Sequence, residues 1–461
     1  MNRATVPALA VLGLALAVLG TAAIGVQQPS AGGAPADDRA RVSVVCPNLD
    51  GTANPTAVAV GSPGGDLATA SLSRPDQVTA VTTTLHVTAA VTAPMVVSAP
   101  RLEAFSASSR TAATSGSDRG LSMTSCDRTT ASQWFAGVTS SADGSADVVL
   151  LNSDDQDATV DIAVYGPEGR VNAAGSRGII VPARTRRVLP LGPLFSAPQA
   201  VSLHVSTSAG RVAALVRQRI LRNDRPAGSD WLPPTADPAT AIVIPGIPAG
   251  RGLRDLIVVN PGERTASVTL QVLGAGGPTA VPGFETLDLP PQASRVIPLS
   301  GALARASVGL RLSSEQKITA GVISGSGGAV DTADVSTQVA TTVLGGPGVL
   351  ALSPGRRVRP ALHLASGSTE PVQVRVVVSS AAGTLADTTV TVPALADAML
   401  RLPRAADVLI AVAPQTPGLV HASVAVRARL DDVIGVSSLA VHPGAAAAVL
   451  PPIRQDPRAG S

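Results

Sequence analysis

Along most of this chain, apolar residues fall at or near every second position. Val42-Ser43-Val44-Val45, Val78-Thr79-Ala80-Val81, Val201-Ser202-Leu203-His204-Val205, Val372-Gln373-Val374-Arg375-Val376 and Val424-Ala425-Val426 are typical runs. A period of two places one side-chain row against a core and the other in water, so these runs predict half-buried antiparallel strands. Clusters of Gly, Pro, Asn and Asp break the pattern about every 8 to 12 residues, the spacing of turns in all-β domains. No helix is predicted after residue 40.

The strand pattern repeats. Leu151-Asn152-Ser153 and Val160-Asp161-Ile162-Ala163-Val164-Tyr165-Gly166 recur as Val259-Asn260-Pro261 and Val268-Thr269-Leu270-Gln271-Val272-Leu273-Gly274, at an offset of 108 residues. Val181-Pro182-Ala183 maps onto Leu289-Pro290-Pro291 at the same offset of 108. A looser copy holds Leu364-Ala365-Ser366, Val374-Arg375-Val376 and Val392-Pro393-Ala394, and 41–130 reads as a degenerate one. The asparagines predict a turn in which each side chain accepts from its own backbone two residues on; Ser366 stands in that place in the later copy.

A repeat of about 105 residues with about seven strands fits an immunoglobulin-like sandwich, so the expected fold is all-β, with about four tandem sandwich units. The boundaries are a cytoplasmic N-terminus 1–5, a membrane segment 6–26, a linker 27–40, units 41–130, 131–235, 236–345 and 346–453, and a tail 454–461. A closed, propeller-like ring is the alternative, because Val449-Leu450-Pro451-Pro452-Ile453 echoes Ala241-Ile242-Val243-Ile244-Pro245. Propeller blades take about 40 to 50 residues, which disfavours it.

Composition adds an address. Residues 6–26 form an uncharged run behind Arg3, long enough to cross a bilayer core of about 30 Å as a helix. The chain is therefore expected in the cell membrane as a single-pass protein with its C-terminal region outside the cytoplasm. The alternative is secretion after cleavage at Thr21-Ala22-Ala23 or Ala34-Pro35-Ala36, both small-x-small sites. Cys46 and Cys126, the only two cysteines, then predict a disulfide, as expected of exported chains. Net charge is +3 and Lys317 is the only lysine, so no dense basic patch marks a nucleic-acid partner.

Trp134-Phe135-Ala136-Gly137-Val138-Thr139, the early Cys46-Pro47, the second cysteine ahead of that tryptophan, and the repeated units marked by Leu151-Asn152-Ser153 and Val259-Asn260-Pro261 together resemble a family of actinobacterial exported proteins of unknown function, whose members carry repeated Leu-x-x-Asn-Pro units. The resemblance spans roughly 41–450. It implies membrane attachment and repeated β units, and it carries no catalytic residue.

The residues that could carry chemistry fall in turns or stand alone. Ser314-Glu315-Gln316-Lys317 has Ser-x-x-Lys spacing but lacks the companion Ser-Asp-Asn and Lys-Thr-Gly segments, and it aligns with Thr207-Ser208-Ala209-Gly210, read as a hairpin turn. His86, His204, His363, His421 and His442 stand singly, without metal spacing. Asp154-Asp155-Gln156-Asp157 offers oxygens to a calcium ion, yet reads first as a polar hairpin turn. Trp134 and Trp231 are expected to fill core or inter-domain space. Arg184, Arg186 and Arg187, with Arg356, Arg357 and Arg359, are the candidate polyanion contacts, and the same residues could equally guard strand edges. No cofactor, metal or catalytic site is expected. The resulting expectation is a non-enzymatic cell-envelope scaffold or protein–protein interaction module, its partner another envelope protein. The alternative is a module that binds an anionic cell-wall glycan or polymer.

Overall fold

The computed structural model describes residues 42–48, 56–99, 104–250, 252–303, 306–327 and 333–443, which are strands and connecting turns with no helix. Segments 1–5, 6–26, 27–40 and 454–461 lie outside the described residues. Among the described residues no helix is long and apolar enough to cross a membrane.

Every strand pairing is antiparallel, and sheets form within four consecutive stretches: 42–125, 132–232, 239–339 and 348–443. In the first stretch one sheet runs in the order Val42–Cys46, Met95–Ala99, Leu67–Ser71, Arg74–Val81. The facing sheet runs Leu85–Val91, Thr56–Gly61, Ser106–Ala113, Gly120–Ser125. The other stretches repeat this plan, with eight or nine strands each where about seven were expected, because outer edges are split or extended. The topology also re-aligns the first copy. The counterpart of Ala213–Arg222 is Ser106–Ala113, which pairs with the last strand of its stretch, and not the 91–97 run that resembles it in sequence.

Each stretch has its own core because the alternating apolar rows of its two sheets face each other. In the fourth, Leu350 and Leu352 of one sheet join Leu362, Leu364, Ala422 and Val424 of the other in a single buried cluster. Burying each such leucine or valine side chain stabilises the fold by about 1.5–3 kcal/mol. The third stretch joins its sheets covalently through one long strand, Val308–Gly325. Its first half pairs with Ala266–Gly274 and its second half with Arg254–Asn260.

The polar turn residues behave as the sequence predicts. Asn152 Oδ1 accepts from the amide of Asp154 at 3.0 Å, and Asn260 Oδ1 from that of Gly262 at 3.0 Å. Ser366 Oγ does the same for the Ser368 amide at 3.1 Å, and Ser62 Oγ for that of Gly64 at 3.3 Å. All four side chains are fully buried. The asparagines go further: the Asn260 amide donates to carbonyls of Arg264, Leu289 and Pro290, tying the turn to the opposite sheet.

The four stretches close on one another, each interface sealed by its own apolar cluster. Val45 and Leu72 of the first meet Val149, Leu151 and Trp231 of the second. Ala136 of the second meets Ile257 and Ile323 of the third. Val243 and Leu273 of the third meet Ala365 of the fourth, and Ala351 and Leu409 of the fourth return to Ala59 and Leu85 of the first. This closure is not a propeller, which corrects the alternative drawn from the sequence. Propeller blades are single sheets around a channel, whereas here sheets face each other in pairs over separate cores and the centre is filled by packed strands.

The disulfide is present. Cys46 ends the first strand, and Cys126 directly follows Gly120–Ser125, the last strand of the same stretch. Closing 80 residues removes about 4.5 kcal/mol of unfolded-state entropy in the chain-entropy model. The Cys46→Ala/Cys126→Ala variant is expected to lose stability of that order in urea unfolding, and an unchanged midpoint would contradict it. Asn260→Ala leaves buried carbonyls unpaired and is expected to cost about 1–3 kcal/mol by the same measurement.

Candidate functional site

The arginines singled out from sequence fall on two separate stretches. Arg186 and Arg187 lie on Arg186–Pro190, an edge strand of the second. Arg186 donates to the Asn48 carbonyl of the first stretch, and Arg187 to that of Ile180. Arg184 is half-buried in the preceding turn, with φ 56°. Arg356, Arg357 and Arg359 are exposed around buried Val358, in a loop of the fourth stretch.

The other sequence candidates are absorbed by the framework. Ser314 and Lys317 sit inside Val308–Gly325, where the chain passes from one sheet to the other, so the expected hairpin is corrected. The chain needs no reversal there, because the same strand serves both sheets. Asp154 pairs with Arg211 at 3.2 Å and Asp157 accepts the Ala183 amide at 2.9 Å. No group of three or more metal-binding side chains occurs among the described residues. His204 stacks on Trp134 at 4.1 Å between ring centroids, with Tyr165 on another side of that indole. Trp231 lies under the Arg217 guanidinium at 5.6 Å.

His363 reaches the Asp397 carboxylate at 3.0 Å, and Ser423 stands opposite His363 on the neighbouring strand. The residue types match a nucleophilic triad, but the arrangement is a joint. Asp397 also accepts the Gly246 amide of the third stretch at 3.0 Å, and Ser423 donates to the Pro245 carbonyl at 3.1 Å. His363, Asp397 and Ser423 are all buried.

Sequence reasoning missed a buried polar cluster that lies where the last strands of the four stretches converge. Gly120–Ser125 packs against Arg225–Leu232 and Val433–Ala440, and Val335–Val339 packs against the same two. The four strands thus surround one axis. Each brings a serine to the same place: Ser122, Ser229, Ser336 and Ser437, the first three at intervals of 107 residues. Two positions before the serine stand Gly120, Ala227, Asp334 and Gly435, so only one of four repeats carries a carboxyl there.

That carboxyl fills space the glycines leave. A Cβ at Gly120 would lie 2.2 Å from Asp334 Oδ1, and one at Gly228 2.6 Å from it. Asp334 Oδ2 accepts the amides of Leu121 at 2.8 Å and Val436 at 2.9 Å, one from the first stretch and one from the fourth. Nearby, Asp230 Oδ1 accepts from the Ser437 hydroxyl at 3.0 Å. Arg217 donates to Ser229 Oγ at 2.8 Å and to Asp118 at 3.3 Å. Asp334 Oδ1, Asp230 Oδ2 and Arg217 Nη1 are buried without a hydrogen-bond partner. Desolvation pushes the Asp334 carboxyl from its ordinary 3.8 up to about 7, and desolvation with the neighbouring Asp334 charge raises Asp230 as well.

A second feature is a cavity of about 470 Å³ at which the chain segments leaving all four stretches meet. Each exit segment bonds back to the first strand of its own stretch. Asp127 bridges Val45 and Thr235 bridges Trp134; the Thr341 amide donates to the Val243 carbonyl at 3.1 Å, and His442 pairs with Val349. The walls carry Asp127, Arg128, Asp237 and His442 above Phe105 and Val349.

Together these features define an all-β assembly whose buried ionisable groups join sheet stretches to each other. The chain belongs to the Family of unknown function (DUF5719), which matches residues 83–403. No curated protein matches it.

The raised Asp334 carboxyl makes stability depend on pH. The folded state keeps a proton that the unfolded chain releases above pH 3.8, so this group's contribution to stability is fully present below that pH and is lost as pH rises through about 7. The shift corresponds to about 4 kcal/mol across that window. Asp334→Asn keeps an acceptor for Leu121 and Val436 and is expected to remove this share of the slope in urea unfolding between pH 5 and pH 8. An identical slope in the variant would refute the assignment.

Proposed function

We propose that this is a non-enzymatic cell-envelope protein, held by residues 6–26 at the membrane, with about four immunoglobulin-like sandwich units outside the cytoplasm serving as a scaffold or protein–protein interaction module. The observation that carries this reading is the use made of buried ionisable side chains. Asp334 joins three stretches, His363 and Asp397 join two, and Arg254 closes a loop through the carbonyls of Pro248, Ala249 and Gly325. Groups held this way stiffen a platform and leave few for turnover. The disulfide supports an oxidising compartment. In intact cells stripped of their wall, added protease is expected to degrade the 42–443 region while a cytoplasmic marker survives. Full protection of that region would count against the placement.

A second reading, contact with an anionic wall polymer, is favoured at one place. Arg356, Arg357 and Arg359 project from one loop, whereas Arg186 and Arg187 are engaged with backbone carbonyls. Binding of the full-length chain to purified wall polymer is expected to weaken with salt and to drop several-fold in the Arg356→Ala/Arg357→Ala/Arg359→Ala variant. Equal binding by this variant would remove the reading.

A further inference from the structure

We propose that the cavity where the four exit segments meet binds a small zwitterion, most simply a short peptide with a free ammonium and a free carboxylate. Its volume of about 470 Å³ is that of a small-molecule site, and such sites favour junctions between domains. Its walls are held in place. Asp127 exchanges two backbone hydrogen bonds with Val45, at 2.7 and 3.3 Å, and the Thr235 amide donates to the Trp134 carbonyl at 2.8 Å. A ligand would therefore meet a formed site and not a loop that must first be ordered.

The charges on these walls select the ligand class. Asp127 and Asp237 are acids and Arg128 is a permanent cation, while desolvation and the Arg128 charge push the His442 imidazole below its ordinary 6.5 and keep it neutral; the four come from three different exits. None of the four side chains makes a hydrogen bond or ion pair with another described residue. Elsewhere on this chain acids and bases that approach do pair, as Asp118 and Asp147 do with Arg219 at 2.8 and 2.7 Å. Asp127 is half-buried and desolvation raises its carboxyl to about 7, whereas Arg128, Asp237 and His442 are exposed. An anion alone would face Asp237 and the partly protonated Asp127, and a cation alone would face Arg128. A molecule with both charges can satisfy both sets at once, while Phe105 and Val349 give its middle an apolar floor.

Isothermal titration of the full-length chain tests this with three probes: trialanine, N-acetyl-trialanine and trialanine amide. Trialanine is expected to bind, and capping either end is expected to weaken it at least tenfold. In Asp127→Asn/Asp237→Asn the penalty for acetylation should disappear, and in Arg128→Gln the penalty for the amide should disappear. Thr342→Trp, an exposed rim position, should block binding while every charge is retained. The proposal is overturned if trialanine gives no heat, if the capped peptides bind equally well, or if these variants keep the parent's selectivity.

Discussion

An ionisable carboxyl loses its hydration when it is buried, and the loss must be offset by donors that are already in place. Asp334 is buried at the one point where strands from all four stretches converge, and the amides of Leu121 and Val436 meet it there. Those amides sit 213 and 102 residues away in sequence, so the carboxyl has its donors only if the first, third and fourth stretches are all docked. Gly120 and Gly228 are needed for the same reason, since any Cβ would occupy the carboxylate's space. Most of each sandwich core comes from one stretch, but Leu121 and Met123 of the first stretch complete the core of the fourth and Val339 of the third joins that of the second; the axis adds directional bonds to this interlocking.

This geometry also explains the character of the interfaces. The apolar clusters between neighbouring stretches are small, several of them built around alanine, valine and isoleucine. Such contacts are permissive about orientation. Directional bonds supply the register: Ser122 to the Ser229 carbonyl at 2.9 Å, Ser437 to Asp230 at 3.0 Å, and Asp397 to the Gly246 amide at 3.0 Å. Because each exit segment returns to the first strand of its own stretch, docking the stretches also gathers the four exits around one cavity.

Much of the framework was legible in the sequence. Strand alternation predicted an all-β chain, the 108-residue offset predicted repeated units, the pair of cysteines predicted the disulfide, and Asn152 and Asn260 predicted the turns. Each of these signals lies within one repeat or in the spacing between repeats. The axis was missed because its signal is a difference at one repeated position: Asp334 where other copies have Gly120, Ala227 or Gly435. It becomes visible only when the last strands are aligned through Ser122, Ser229, Ser336 and Ser437. The 315–317 region failed for another reason. A polar stretch resembles a turn in sequence, yet one strand there continues from one sheet into the other. The pairing of His363 with Asp397 and the meeting of Asp127, Arg128, Asp237 and His442 depend on docking between sheets and stretches, to which periodicity along the chain is blind.

The axis couples the four stretches into one cooperative unit. Native-state hydrogen exchange at increasing denaturant tests this coupling most directly, following the amides of Leu121 and Val436 together with core amides such as Val149, Val258 and Val424. All of them are expected to exchange through a single, shared opening with one denaturant dependence. If the amides of one stretch exchanged through their own lower-energy opening while Leu121 and Val436 stayed protected, the stretches would be independent and the axis would not couple them.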